Sequence, residues 1–207
     1  LIIVNKLILS NPTHTLQKKI VVFASGSGTN AENIIKFFQK QPNASVVAVF
    51  SNKRSAKVLK RAHDLNVKAL HFDRDALYNS YDVLHILEDI NPDLIVLAGF
   101  MWIFPEDILK RFPNKIINIH PALLPKYGGK GMYGMHVHEA IIQNKEKESG
   151  ISIHYVNENY DDGEIIFQAK TDISEEDTPE SLAEKIHKLE YKHFPEILQQ
   201  LLQKKSQ

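Results

Sequence analysis

The sequence predicts an α/β fold with a mostly parallel, doubly wound sheet, an added antiparallel strand pair and a closing C-terminal helix. Three observations predict it. From Lys18 to His120 short apolar, β-rich runs alternate with amphipathic segments of helical length. Those runs are continuously hydrophobic, the mark of strands buried on both faces. After residue 145 two runs alternate with period two instead, and a long amphipathic stretch closes the chain.

Each element follows from its own residues. KIVVFAS (19–25) is a strand ending in Gly/Ser turn chemistry, and residues 30–40 present Ile34, Ile35, Phe37 and Phe38 on one helical face. SVVAVFSN (45–52) is the next strand, Ala56 to Leu65 a helix and KALHF (68–72) a short strand. Residues 80–90 form a helix with Val83, Leu84, Leu87 and Ile90 in helical spacing. DLIVLAGF (93–100) is a strand, PEDILKRF (105–112) a helix with proline at its start, and KIINIH (115–120) a strand. HVHEAIIQN (136–144) is helical, while SGISIHYV (149–156) and EIIFQAK (164–170) form the antiparallel pair around an acidic loop, NENYDDG. The closing helix (178–202) opens with a Thr178 cap and Pro179, and Pro195 is expected to interrupt or kink it. Residues 18–204 read as a single domain, and residues 1–17 as an N-terminal extension outside it.

Composition narrows the function. Lys+Arg and Asp+Glu both number 25, which is not the basic footprint of a nucleic-acid binder. The chain has no cysteine, so disulfides, thiolate catalysis and Cys-ligated zinc are excluded, as suits a cytoplasmic protein. No apolar run approaches the roughly 20 residues that span a bilayer. LIIVNKLILS at the start is interrupted by Lys6 and lacks the frame of a signal peptide.

Ligands of doubly wound sheets bind beyond the carboxyl ends of the strands, where SGSGTN, AGFMW and NIHP all fall. ASGSGTN (24–30) lies between the first strand and the first helix, and a glycine turn at a helix N-terminus suits a phosphate, although a simple strand-helix turn would favour Gly and Ser too. The turn is neither G-x-G-x-x-G nor a Walker loop, and no acid ends the second strand, so a dinucleotide is disfavoured. Asn118 and His120, two apart on a strand, project to the same side. They suit stabilisation of negative charge on a carbonyl oxygen, although tying down a turn would explain them too. Asp161 and Asp162 precede Gly163, where turn chemistry alone could place them. A carboxylate beside His120 would favour its charged form. His136 and His138, with His120 and His154, lack the spacing of a metal set, and the first two diverge on a helix. GGKGMYGM (128–135) reads equally as a lid over the site or as a surface connection.

KIVVFASGSGTN, AVFSNK, PDLIVLAGFMWIFP, NIHPALLPKYGG and YDDGEIIFQAK, in this order, resemble the phosphoribosylglycinamide formyltransferase family over residues 18–202. The resemblance implies a Rossmann-like formyltransferase fold. The implied reaction is transfer of the formyl group of 10-formyltetrahydrofolate to the amine of 5-phosphoribosylglycinamide, the third step of purine (IMP) synthesis. By that resemblance Asn118, His120 and Asp161 are catalytic: imidazolium His120 and Asn118 hold the oxyanion, and Asp161 keeps His120 charged and helps move the proton. Gly28, Thr29, Asn30 and Glu190 bind the phosphoribosylglycinamide. Met101, Trp102, Ile103 and Phe104, with Asn118 and the segment Asn157, Glu158, Asn159, Tyr160 and Asp161, hold the folate. Trp102 stands where many relatives have arginine, and Arg74 is a candidate for the family's basic folate-side residue. No metal, nucleic acid or membrane is implied, and the protein is a monomer or homodimer. The alternatives are a methionyl-tRNA formyltransferase or a 10-formyltetrahydrofolate hydrolase, whose extra domains this chain length is expected to exclude, or a non-catalytic nucleotide-binding domain.

Overall fold

The computed structural model describes residues 17–204, so the expected extension, apart from Gln17, lies outside the described residues. The elements run β1 (Lys18–Phe23), α1 (Thr29–Phe38), β2 (Ala44–Ser51), α2 (Lys57–Asp64), β3 (Lys68–His71), α3 (Arg74–Tyr78), α4 (Asp82–Ile90) and β4 (Leu94–Leu97). They continue as α5 (Glu106–Arg111), β5 (Ile116–His120), α6 (Met135–Gln143), β6 (Glu148–Tyr155), β7 (Ile165–Asp172) and α7 (Pro179–Lys204).

One 7-stranded sheet has the order β3-β2-β1-β4-β5-β6-β7. The first five strands pair in parallel, and β6 runs antiparallel to both β5 and β7. Winding starts outward from β1 in one direction and resumes through β4 in the other, so the switch point lies between β1 and β4. The alternation of side chains along β1 builds both layers of the core. Ile20 and Val22 pack with α1, α2, α6 and α7, whereas Val21 and Phe23 pack with α3, α4 and α5. The predicted parallel sheet, added antiparallel pair and closing helix are all present.

The structure differs from the sequence reading in three places. Strand β6, expected to show one buried face, is buried from Ser149 to His154, because β5 and β7 flank it, α7 packs on it and the loop after β5 bonds to Ser152 through the Leu124 N–H and the Ala122 carbonyl. Helix α3, unforeseen, is short and capped by Asp73, whose carboxylate accepts from the Ala76 N–H at 2.9 Å. Helix α7 runs through Pro195 without interruption. Proline has no N–H for the carbonyl four residues back, and here that carbonyl, on Tyr191, accepts instead from Asn33 Nδ2 of α1 at 2.8 Å. At the other end Thr178 caps the helix as expected, its Oγ1 accepting from the Ser181 N–H at 3.2 Å.

Candidate active site

A cavity of about 580 Å³ opens at the carboxyl ends of β1, β4 and β5. Its floor is built by two linked turns. Ser25 N–H donates to the Gly99 carbonyl at 3.0 Å, and Ser25 Oγ accepts from the Met101 N–H at 3.0 Å. The first turn then enters α1 through Gly28, at φ 74° and ψ 25°. A Cβ at that position would overlap Val58, so glycine is required there by both backbone and packing. Gly28, Thr29 and Asn30 thus line the cavity with the N-terminus of α1 directed into it. Asn30 Nδ2 donates to Glu190 Oε2 at 2.8 Å, joining α1 to α7. Burial pushes the Glu190 carboxyl up against the opposing pull of Asn30 and His187.

On the opposite wall β5 delivers Asn118 and His120, and the loop between β6 and β7 delivers Asp161. Asp161 takes a left-handed φ of 52°, which Asp tolerates better than most residues. Two positions on, a Cβ at Gly163 would overlap the Tyr155 carbonyl, so this glycine lets the loop fold tightly back on β6. Asp161 then reaches His120, Gly129 and Asn118, with His154 Nε2 3.7 Å from its Oδ1. Its Oδ2 lies 3.4 Å from His120 Nδ1 and accepts from the Gly129 N–H at 3.0 Å, while its Oδ1 accepts from Asn118 Nδ2 at 3.3 Å. The sequence left open whether Asp161 meets His120; the fold brings them together.

The charge state differs from expectation. His120 is 3% exposed, and burial holds its pKa below the ordinary value despite the upward pull of Asp161 and the Tyr127 carbonyl. Asp161 therefore does not keep His120 charged in the free site. Neutral His120 donates Nε2–H to the Tyr127 carbonyl at 2.7 Å, because a carbonyl can only accept, and Nδ1 faces Asp161 with its lone pair. Burial pushes the Asp161 carboxyl up, yet its polar contacts, the Gly129 N–H among them, hold it below its ordinary value.

His154 enters the site without an assigned role from sequence. It sits directly across from Asn118 in the antiparallel register and is 2% exposed. Its Nδ1–H donates to the Tyr155 carbonyl at 2.8 Å, so Nε2 is the acceptor for Asn118 Nδ2 at 3.0 Å. Both hydrogens of the Asn118 amide nitrogen are thereby engaged, one by His154 and one by Asp161. Only strand register could have revealed this partner. The Gly129 N–H and Tyr127 carbonyl were equally invisible, being backbone groups of a loop.

The remaining candidates divide. Met101, Tyr160 and Asp161 line the cavity, but Trp102, Ile103, Phe104, Asn157, Glu158 and Asn159 do not. Trp102 instead stacks near the Arg74 guanidinium, 5.1 Å from the ring centre, and Phe104 is buried against Phe23. The Ile103 carbonyl accepts from the Tyr78 hydroxyl at 2.8 Å, and Asn157 Oδ1 accepts from the Asn159 N–H at 3.0 Å. Glu158 is exposed. The glycine-rich segment proves to be a wall of the cavity from Gly129 to Gly134. His136 and His138 diverge as expected: His136 lies outward beside the Tyr133 ring, whereas His138 is buried in the cavity lining. Among the described residues, no three His, Cys, Asp or Glu side chains are arranged to hold a metal ion.

A doubly wound sheet with a buried His–Asp pair and a fixed amide opposite a helix N-terminus defines a group-transfer enzyme more readily than a passive nucleotide binder. The chain belongs to the formyl transferase family, which residues 18–198 match. It is 36% identical over 190 residues to the phosphoribosylglycinamide formyltransferase of Bacillus subtilis, covering 89% of this chain and 95% of that protein. It is 35% identical over 189 residues to the chloroplastic phosphoribosylglycinamide formyltransferase of Arabidopsis thaliana, covering 88% of this chain but only 64% of that one. The crystal structure of phosphoribosylglycinamide formyltransferase from Bacillus halodurans superposes with a TM-score of 0.80 at 38% identity, over 89% of this chain and 95% of that one.

Proposed function

We propose that this chain transfers the formyl group of 10-formyltetrahydrofolate to the amine of 5-phosphoribosylglycinamide, giving formylglycinamide ribonucleotide and tetrahydrofolate, in the cytoplasm and without a metal. The observation that carries the reading is the 3.4 Å approach of Asp161 to His120 in the cavity that the α1 N-terminus also enters. The phosphate sits at Gly28–Asn30, where backbone N–H groups and the helix dipole receive it. Glu190, adjacent through Asn30, binds the sugar side of the substrate.

Chemistry follows from the proton inventory. The substrate amine attacks the formyl carbon, a C–N bond forms, and the carbonyl oxygen becomes an oxyanion. The ammonium so created must lose a proton, and neutral His120 accepts it, with Asp161 stabilising the resulting imidazolium. The positive charge of that imidazolium and the Asn118 amide stabilise the developing negative charge. For Asn118 to donate, one of its two bonds to His154 and Asp161 must be exchanged, a swap that accompanies substrate entry. The proton then passes to the folate nitrogen as the C–N bond to folate breaks.

The test is turnover. Purified protein with phosphoribosylglycinamide and a 10-formylfolate should release the deformylated folate, followed by absorbance, only when the amine is present. Release at the same rate without the amine would replace this reading with a hydrolase.

A further inference from the structure

The cavity is poor in fixed positive charge, although the proposed substrate is a phosphate. Its lining holds the carboxyls Asp161 and Glu190, three imidazoles, and a single Lys or Arg, Lys130. Burial holds His138 at about 4 and His120 below its ordinary value, so neither supplies a cation at neutral pH. Against a phosphate, the N-terminus of α1 offers only about half an elementary charge.

Lys130 is exposed and has no ion pair or hydrogen bond among the described residues, whereas its neighbour Lys126 is paired with Glu146 at 3.0 Å. It is held between Gly129 at φ 93° and Gly131 at φ 92°, both in open space. Packing does not demand those glycines; the backbone path that presents Lys130 at the cavity does. The same path carries the Gly129 N–H to Asp161 Oδ2.

Resting on the reaction proposed above, we infer that Lys130 reads the substrate's phosphate: its ammonium pairs with the phosphomonoester received by the α1 N-terminus. Occupancy of the phosphate and placement of the Asp161 carboxylate then share one stretch of backbone, residues 129–130. Phosphorylated and unphosphorylated ribosylglycinamide are discriminated chiefly by this lysine.

The experiment uses ribose 5-phosphate as probe, titrated calorimetrically into the full chain and into Lys130→Met and Lys130→Arg. The methionine variant should bind about tenfold to a hundredfold more weakly, the usual range for one lost charge-assisted contact, and arginine should restore binding. Equal affinity of the parent chain and Lys130→Met, or no binding by the parent chain, overturns the inference. In steady-state assays the KM for phosphoribosylglycinamide should rise in Lys130→Met while that for the formyl donor stays put. An unchanged KM overturns the role of Lys130 and leaves the reaction standing. Lys130-dependent binding of ribose 5-phosphate by a chain that turns nothing over supports the lysine and removes the reaction.

Discussion

His154 and Asn118 face each other across β6 and β5, with the imidazole Nε2 3.0 Å from the amide nitrogen. Because the other imidazole nitrogen is committed to the Tyr155 carbonyl, the amide can present only its NH2 group to His154. One buried histidine thereby sets which way a candidate catalytic amide points.

His154→Leu removes that constraint while keeping similar bulk. Turnover should drop on the order of 100-fold, the scale on which misplacement of about an ångström slows an enzyme. Steady-state kinetics check it, with KM values for both substrates close to those of the parent chain. A variant with parental turnover would show that Asn118 is oriented by other means.

His120→Ala removes the proposed proton acceptor and should cost on the order of 100-fold or more in turnover. It also leaves Asp161 with one partner fewer and the Tyr127 carbonyl without its donor, which should lower stability by about 1–3 kcal/mol. Urea unfolding separates the two effects, since the parent chain's stability can be matched by temperature. In the parent chain, turnover should fall on the acid side as His120 becomes protonated. Its lowered pKa places that limb below 6.5.

Stability should also decline with acid, and His138 contributes between pH 6.5 and about 4. Its pKa is lowered to about 4 by burial, with smaller effects from His187 and His120. An unfolded histidine takes its proton near 6.5, so between that value and about 4 the unfolded chain binds more protons and the folded state is disfavoured. The loss should total on the order of 3 kcal/mol across that window. His138→Phe should flatten the curve between pH 6.5 and 4 in urea titrations, and an unchanged slope would contradict the assignment.

Asn33→Ala strands the Tyr191 carbonyl that Pro195 cannot serve and should cost about 0.5–1 kcal/mol, the low end for a partly exposed bond. Pro195→Ala supplies the missing N–H. In a double-mutant cycle the cost of Asn33→Ala should shrink once Pro195 is gone, read as the urea midpoint.

Much was determined by the sequence alone. Strand and helix periods are local, so KIVVFAS, DLIVLAGF and KIINIH announced buried parallel strands, and Thr178-Pro179 announced the start of α7. Asn118 and His120 announced themselves as well, because residues two apart on one strand share a face whatever surrounds them. Tertiary structure decided what depends on partners distant in the chain. Register across β5 and β6 made His154 the neighbour of Asn118, and the fold-back at Gly163 brought Asp161 to His120. Burial, a property of the whole packed molecule, then decided the charge of His120 against the expectation from its carboxylate neighbour. Pro195 shows the same division: the residue alone predicts an interrupted or kinked helix, and the helix continues past it while an asparagine on another helix takes up the carbonyl it cannot serve.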